Sequence, residues 1–292
     1  MMNIHERIEE LSQIGRNDDG SIYRKAGRRE YYDAVNLVSE WMIADGMNTH
    51  VDEYNNLIGT IPGTDPDAKP IVVGSHIDTV PTGGKYDGVL GVLGGMEAAK
   101  RLKGTTKHPI QVVAFYDEED SMSGSIGFTQ SKSVYDIKAF LELHVEQGPV
   151  LDKRGADIGV VEGIVGQRRC KFVITGQANH AGTTPMDMRD DALVKASELV
   201  SYVYHRASIY DGLVATVGKL DVSPNLFSII PGRVDLTVQI RDLDTSNIIT
   251  FASDVASKFD LIYEIDYEST PALCDRKIMD MISDSTGDLF LY

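Results

Sequence analysis

Cysteine is scarce in this sequence of 292 residues: Cys170 and Cys274 are its two. They are too few for a disulfide framework and lack metal-ligand spacing, which fits a reducing cytoplasm. No apolar run approaches the roughly 20 residues that span a bilayer. The start, MMNIHERIEELSQIG, is charged and has no apolar h-region of a signal peptide. A cytoplasmic location without a membrane partner is therefore expected. Positive charge is also short, with Lys+Arg 28 against Asp+Glu 44 and a net charge of -16. That balance argues against a nucleic-acid partner, which needs a basic surface. The 42% hydrophobic content is ordinary for a globular protein, and the length allows two domains.

The most informative stretch is IVVGSHIDTVPTGGKYD, residues 71–87. Ile71-Val72-Val73 reads as a buried strand after Pro70. His76 and Asp78 stand at its carboxyl end, and Asp87 follows a Gly-rich loop. Ligands of open α/β sheets sit at the carboxyl ends of strands. An imidazole there suits a zinc-type site, with Asp78 free to hold the His76 ring. Taken alone, a loop histidine beside helix-capping aspartates is the more ordinary reading.

Apolar spacing predicts surface helices over 4–16 and 29–45, and strand with a turn at Asn55-Asn56 over 49–61. The run GVLGVLGGMEAAKRLK after Asp87 reads as a helix whose glycines let it approach the sheet or the site closely. Ile110–Phe115 is a further apolar strand, ending in Asp117-Glu118-Glu119-Asp120. Four successive carboxylates can be no more than a solvated loop. Here they follow a buried strand, as His76 does, so the two sets can meet at one sheet edge. LELHVEQGPV (141–150) reads as a strand with His144 and Glu146 at alternate positions. Together His76, Asp87, Glu119 and His144 offer two imidazoles and two carboxylates.

Beyond residue 163 strands are expected at 170–176, 213–218, 233–241 and 261–267, with helices at 190–206 and 245–259. Asp244 or Thr245 is a candidate cap for the last helix. The order βαββαβ is that of a ferredoxin-like sandwich. The expected fold is therefore α/β: a first domain of 1–165 and 271–292, with a second domain inserted at 166–270.

The stretches GSHIDTVPTGGKYDG, AFYDEED, LELHVEQGPVLD, GIVGQRR, GQANHAGTTPMDMRDDAL and IPGRVDLTVQIRD resemble the zinc-dependent aminoacylase and carboxypeptidase-like amidohydrolases. Within them the match is to the allantoate amidohydrolase and N-carbamoyl-L-amino-acid hydrolase branch. It covers roughly residues 70–245. The resemblance implies a zinc-peptidase-like catalytic domain, a mixed sheet with flanking helices, and a dimerisation or lid domain.

It also implies two divalent ions, Zn²⁺ or Mn²⁺. Asp87 would bridge them, His76 and His144 would complete one, and Glu119 would bind the other. Asp78 would orient His76, and Glu118 would be the general base. His180 would stabilise the oxyanion, often from the partner subunit, so a homodimer is implied. Gln147 and Arg241 would hold a small ureido carboxylate substrate. Three departures are visible. The family supplies a further metal-binding histidine from a Gly-His-Asp motif beyond the point where this sequence stops, at Tyr292. The stretch from Glu119 to His144 is short, and Asp120 stands where the family generally has Gly. Ser228 replaces the asparagine expected before IPG, leaving Asn225, out of register, as the candidate substrate contact. The leading expectation is hydrolysis of allantoate or an N-carbamoyl-L-amino acid, with the NHAGTTPM wording leaning to allantoate. An aminoacylase or dipeptidase, and a non-catalytic dimerising metal-binding remnant, are the alternatives.

Overall fold

Short runs of β-branched residues set the first sheet. The computed structural model describes residues 2–131, 136–286 and 290–291 of the chain. It divides into two compact units, Met1–Gly148 and Pro149–Tyr292.

In the first unit the elements follow as α1 (Ile4–Leu11), α2 (Arg29–Ala44), β1 (Asn48–Val51), β2 (Leu57–Ile61), β3 (Ile71–His76), α3 (Val89–Leu102), β4 (Ile110–Phe115), α4 (Ser123–Gln130) and β5 (Ala139–Leu141). The sheet order is β1-β2-β4-β3-β5. β3 runs parallel to both β4 and β5, whereas β2 is antiparallel to β4 and β1 to β2. Both faces are covered. Leu57, Ile61, Val112 and Ala114 pack with Leu11, Val38 and Met96, and Ile58, Val72, Val113 and Phe115 pack with Phe128. Burial on both faces explains why β3 and β4 read as continuous apolar runs rather than alternating ones.

Two expectations need correction here. The helix predicted over 4–16 stops at Leu11, where the Ser12 N–H donates to the Ile8 carbonyl and its hydroxyl to the Glu9 carbonyl, 2.7 Å. The strand predicted over 141–150 is β5, and it ends at Leu141. His144 and Glu146 therefore lie in a loop, not on alternate strand positions.

The second unit contains α5 (Val150–Arg154), β6 (Gly159–Val160), β7 (Gly163–Ile164), β8 (Gly166–Thr175), α6 (Ala192–Ala207), β9 (Val214–Ser223), β10 (Arg233–Asp242), α7 (Thr245–Lys258), β11 (Tyr263–Ser269), β12 (Ala272–Leu273), α8 (Arg276–Thr286) and β13 (Phe290–Leu291). β8, β9, β10 and β11 form an antiparallel sheet in the order β11-β8-β10-β9. With α6 and α7 on one face this is the βαββαβ arrangement of a ferredoxin-like sandwich. Phe172 and Ile174 of β8, with Val234, Leu236, Val238 and Ile240 of β10, bury against Leu199, Val203, Phe251 and Val255. Asp191 and Asp244 cap the two helices, accepting from Leu193 N–H and Ser246 N–H.

The stretches flanking this sandwich pair with one another: β7 with β12 and β6 with β13. Residues 287–289 and 292 of the predicted 271–292 segment lie outside the described residues. Both cysteines are free, Cys170 buried and Cys274 exposed.

Candidate metal centre

β3, β4 and β5 are mutually parallel, so their carboxyl ends lie at one edge of the first sheet. Each delivers part of the site. His76 is the last residue of β3, Glu118 and Glu119 follow β4, and His144 follows β5. Asp87 arrives from the loop that leads into α3.

Three of these side chains converge. Ligand atoms of His76, Asp87 and His144 all lie within 4.8 Å of one another. His144 Nε2 is 3.1 Å from Asp87 Oδ1, and His76 Nε2 is 3.8 Å from the same oxygen. The two imidazoles are stacked with ring centroids 5.9 Å apart. Both turn Nδ1 to a backbone carbonyl, His76 to Asp78 O at 3.1 Å and His144 to Val145 O at 2.8 Å. A carbonyl can only accept, so each Nδ1 carries the proton and each Nε2 is left to face Asp87.

Asp87 Oδ1 is buried and accepts no hydrogen bond. A buried carboxylate oxygen without a donor, faced by two imidazole nitrogens, is the arrangement a divalent cation satisfies. Electrostatics agree. Burial by itself lowers the His76 pKa, yet the hydrogen bond to Asp78 and the charge of Glu118 outweigh it and push it up to about 9. The surroundings thus favour a positive charge at this corner.

The acidic loop is tied to the same turn. Asp78 Oδ2 accepts the Glu119 N–H at 3.0 Å, and Asp78 Oδ1 stands 3.6 Å from His76 Nδ1. Glu118 reaches within 3.6 Å of His76 Nε2. Burial, and then the charges of Asp78 and Glu142, raise its pKa against the opposing pull of His76 and His144. The Glu119 pKa is also raised, first by burial and then by Asp87, with His76 opposing. Glu119 stands outside the converged triad. Gln147, expected to touch substrate, donates from Nε2 to Asp87 Oδ2 at 2.7 Å.

Packing explains how these loops come so close. Gly88 has φ 65°, and a Cβ there would lie 2.5 Å from the His76 ring. At Gly91 a Cβ would run into the Leu143 carbonyl, so α3 seats the His144 loop directly. The glycines of α3 serve close approach, as predicted.

Two supporting residues had no signal of this role in the sequence, Asn56 being read there only as part of a turn. Arg24 is fully buried and donates from Nε to Ile77 O at 2.9 Å, while its backbone N–H donates to Thr79 Oγ1 at 2.8 Å. Asn56, equally buried, accepts the Tyr116 N–H on Oδ1 at 3.0 Å and donates to the Gly124 carbonyl, fixing the start of the acidic loop. A polar residue whose burial depends on several distant segments has no local pattern.

The remaining predicted residues lie in the second unit. His180 is exposed, bridges Ile229, and accepts the Gly182 N–H on Nδ1 at 3.1 Å. An accepting Nδ1 leaves the proton on Nε2, which makes the imidazole a neutral donor. Asn225 is exposed with φ 56°. Arg241 is exposed on β10 opposite Gln167. His180 lies beyond the Arg233–Thr175 end of that ladder, so some eight residues of strand, roughly 26 Å, separate it from Arg241.

The sequence profile of Peptidase family M20/M25/M40 matches residues 72–290. N-carbamoyl-L-amino-acid amidohydrolase from Pseudomonas sp. (strain NS671) is 33% identical, over 99% of this chain and 82% of the relative. Allantoate amidohydrolase from Bacillus subtilis (strain 168) is 35% identical, over 87% and 72%. The crystal structure of an amidase of the hydantoinase/carbamoylase family from Burkholderia multivorans superposes with a TM-score of 0.86 at 30% identity, covering 98% of this chain and 82% of that one.

Proposed function

Because the chain belongs to peptidase family M20/M25/M40, we propose that it is a metal-dependent amidohydrolase cleaving the ureido C–N bond of allantoate or an N-carbamoyl-L-amino acid. The observation that carries this is the convergence of His76 Nε2, His144 Nε2 and the donor-free Asp87 Oδ1. Relatives named for each of the two substrate classes support the reaction. The wording of NHAGTTPM favours allantoate within the pair.

In this reading His76, Asp87 and His144 would hold one divalent ion, and Asp87 and Glu119 would contribute to a second. Zn²⁺ and Mn²⁺ both suit such donors. When bound, the ions polarise the ureido carbonyl and acidify water. The chain's own groups do the rest. Glu118, with its raised pKa, takes a proton from the attacking water and passes it to the leaving nitrogen. Asp78 holds the acidic loop to the His76 turn through Glu119 N–H. Breaking the C–N bond releases the amine and a carbamate, which decomposes to ammonia and CO2.

Arg241 clamps the substrate carboxylate, with Gln147 and Asn225 as further contacts. The neutral His180 donates from Nε2 to the developing oxyanion. A span of roughly 26 Å between His180 and Arg241 cannot be bridged by one small substrate. The reading therefore takes the partner subunit's His180 at each site, in a homodimer. The sandwich at 166–270 is its dimerisation and lid domain, inserted in a catalytic domain of 1–165 and 271–292. Pairing of β7 with β12 and of β6 with β13 supports the insertion. No described helix is long and apolar enough to cross a membrane, and we place the enzyme in the cytoplasm.

The test is turnover of allantoate and of N-carbamoyl-L-amino acids by the metal-loaded chain, with N-acetyl amino acids as control. Hydrolysis of a ureido substrate alone is expected. Turnover of the N-acetyl compounds alone would make the protein an aminoacylase.

A further inference from the structure

One loop grips both oxygens of one carboxylate. His144 Nε2 lies 3.1 Å from Asp87 Oδ1, and three residues on Gln147 Nε2 donates to Asp87 Oδ2 at 2.7 Å. Gln147 holds this contact from an unusual backbone, with φ 57° in the left-handed region. A residue other than glycine there is uncommon and costs conformational energy, so the aim of this side chain is imposed by its surroundings.

The two oxygens are not equivalent. Oδ1 faces two imidazoles and has no donor, whereas Oδ2 already has one. A cation approaching Oδ1 meets a prepared cradle. A cation approaching Oδ2 meets an amide N–H whose positive end points at the same oxygen.

We infer that Gln147 is a two-position latch: its amide holds Asp87 Oδ2 until a second cation takes that oxygen, and is then released toward the substrate. The inference rests on the reading of Asp87 as the bridging carboxylate. It deepens that reading in two ways. The ions load in a fixed order, first on the His76–Asp87–His144 side. A substrate-binding amide also becomes free only when the centre is complete, so an incompletely loaded site does not hold substrate. While it holds Asp87, Gln147 acts as a positioning residue, and once released it is the substrate contact proposed above.

The test is calorimetric titration of the metal-stripped full chain with Mn²⁺, for wild type, Gln147→Ala and Gln147→Asn. Asparagine keeps an amide and tolerates the left-handed backbone, but is one methylene too short to reach Asp87. Both variants should leave the tighter constant unchanged and strengthen the weaker one about tenfold, the strength of one hydrogen bond to a charged group. If the wild type takes up one ion only, the variants should gain a second. An unchanged or weakened second constant in both variants overturns the latch. A shift in the tighter constant also overturns it, because Gln147 would then support the first ion. His144→Ala is the control for the underlying reading. If that substitution leaves the tighter constant intact, the metal assignment fails, and the latch with it.

Discussion

The guanidinium of Arg24, fully buried, donates to the carbonyl of Ile77, the residue between His76 and Asp78. It also donates to the carbonyls of Leu11 and Ile14. Burial lowers its pKa to about 10, with Asp78 opposing the shift. One side chain thus fastens α1 to the turn that presents the site. Arg24→Met takes the side-chain donor from the Ile77 and Ile14 carbonyls, and a loss of about 3 kcal/mol is expected in urea denaturation. Arg24→Lys should recover little of it, because an ammonium cannot reproduce the planar fork.

His144 is part of the triad but not of the core, its side chain being 31% exposed. His144→Ala should abolish retention of the tightly held ion after dialysis, read as metal per chain. The melting temperature of the stripped protein should move by about 2 °C or less.

Gly88→Ala acts on the same ion through shape. A methyl group 2.5 Å from the His76 ring, on a backbone at φ 65°, must displace the ligand or the start of α3. Metal affinity should fall by about tenfold or more, with a stability loss of about 1 kcal/mol, measured by competitive chelator titration and thermal melting.

Asp45 governs acid stability. It receives Arg7 through two hydrogen bonds, 2.6 and 3.0 Å, and Lys100 at 3.1 Å. Burial by itself raises its pKa, but the two cations overcome this and hold it below the ordinary carboxylate value. A depressed folded pKa stabilises the protein above the unfolded value, near pH 4, and that contribution is lost as pH falls through the folded value. Asp45→Asn should flatten stability against pH in this acid window. At neutral pH it should cost about 3 kcal/mol, since it leaves a buried Arg7 unpaired. Denaturation midpoints from pH 2 to 7 check both.

Much of this was legible in the chain. Ile110–Phe115 has its predicted bounds because a strand buried on both faces is an unbroken apolar run with sharp polar edges. The alternation of Val234, Leu236, Val238 and Ile240 identified a strand with one covered face, and it packs that way. His76 was readable as a donor at the end of an apolar run, Asp87 beyond a Gly-rich loop and His144 within an expected strand, and the structure brings those three together. What misled was the loop after Leu141. Its apolar residues look like strand, but its path is set by the glycines of α3, which no local period encodes. Arg24, Asn56 and the Gln147–Asp87 contact were invisible for a related reason. Each joins segments far apart in the chain, and neither end carries a pattern that announces the other.

Gly163 and Ile164 lie beside Leu273 and Ala272 as ladder partners. The backbone therefore departs toward the sandwich and returns from it at neighbouring positions, and the hundred or so intervening residues are, topologically, one closed excursion. His76, Asp87, Glu119 and His144 all precede it in the chain. A short turn joining Ile164 to Ala272 would leave uncut the stretch of chain that carries the His76–Asp87–His144 triad. The sandwich is thus an excursion whose two ends meet on one short ladder.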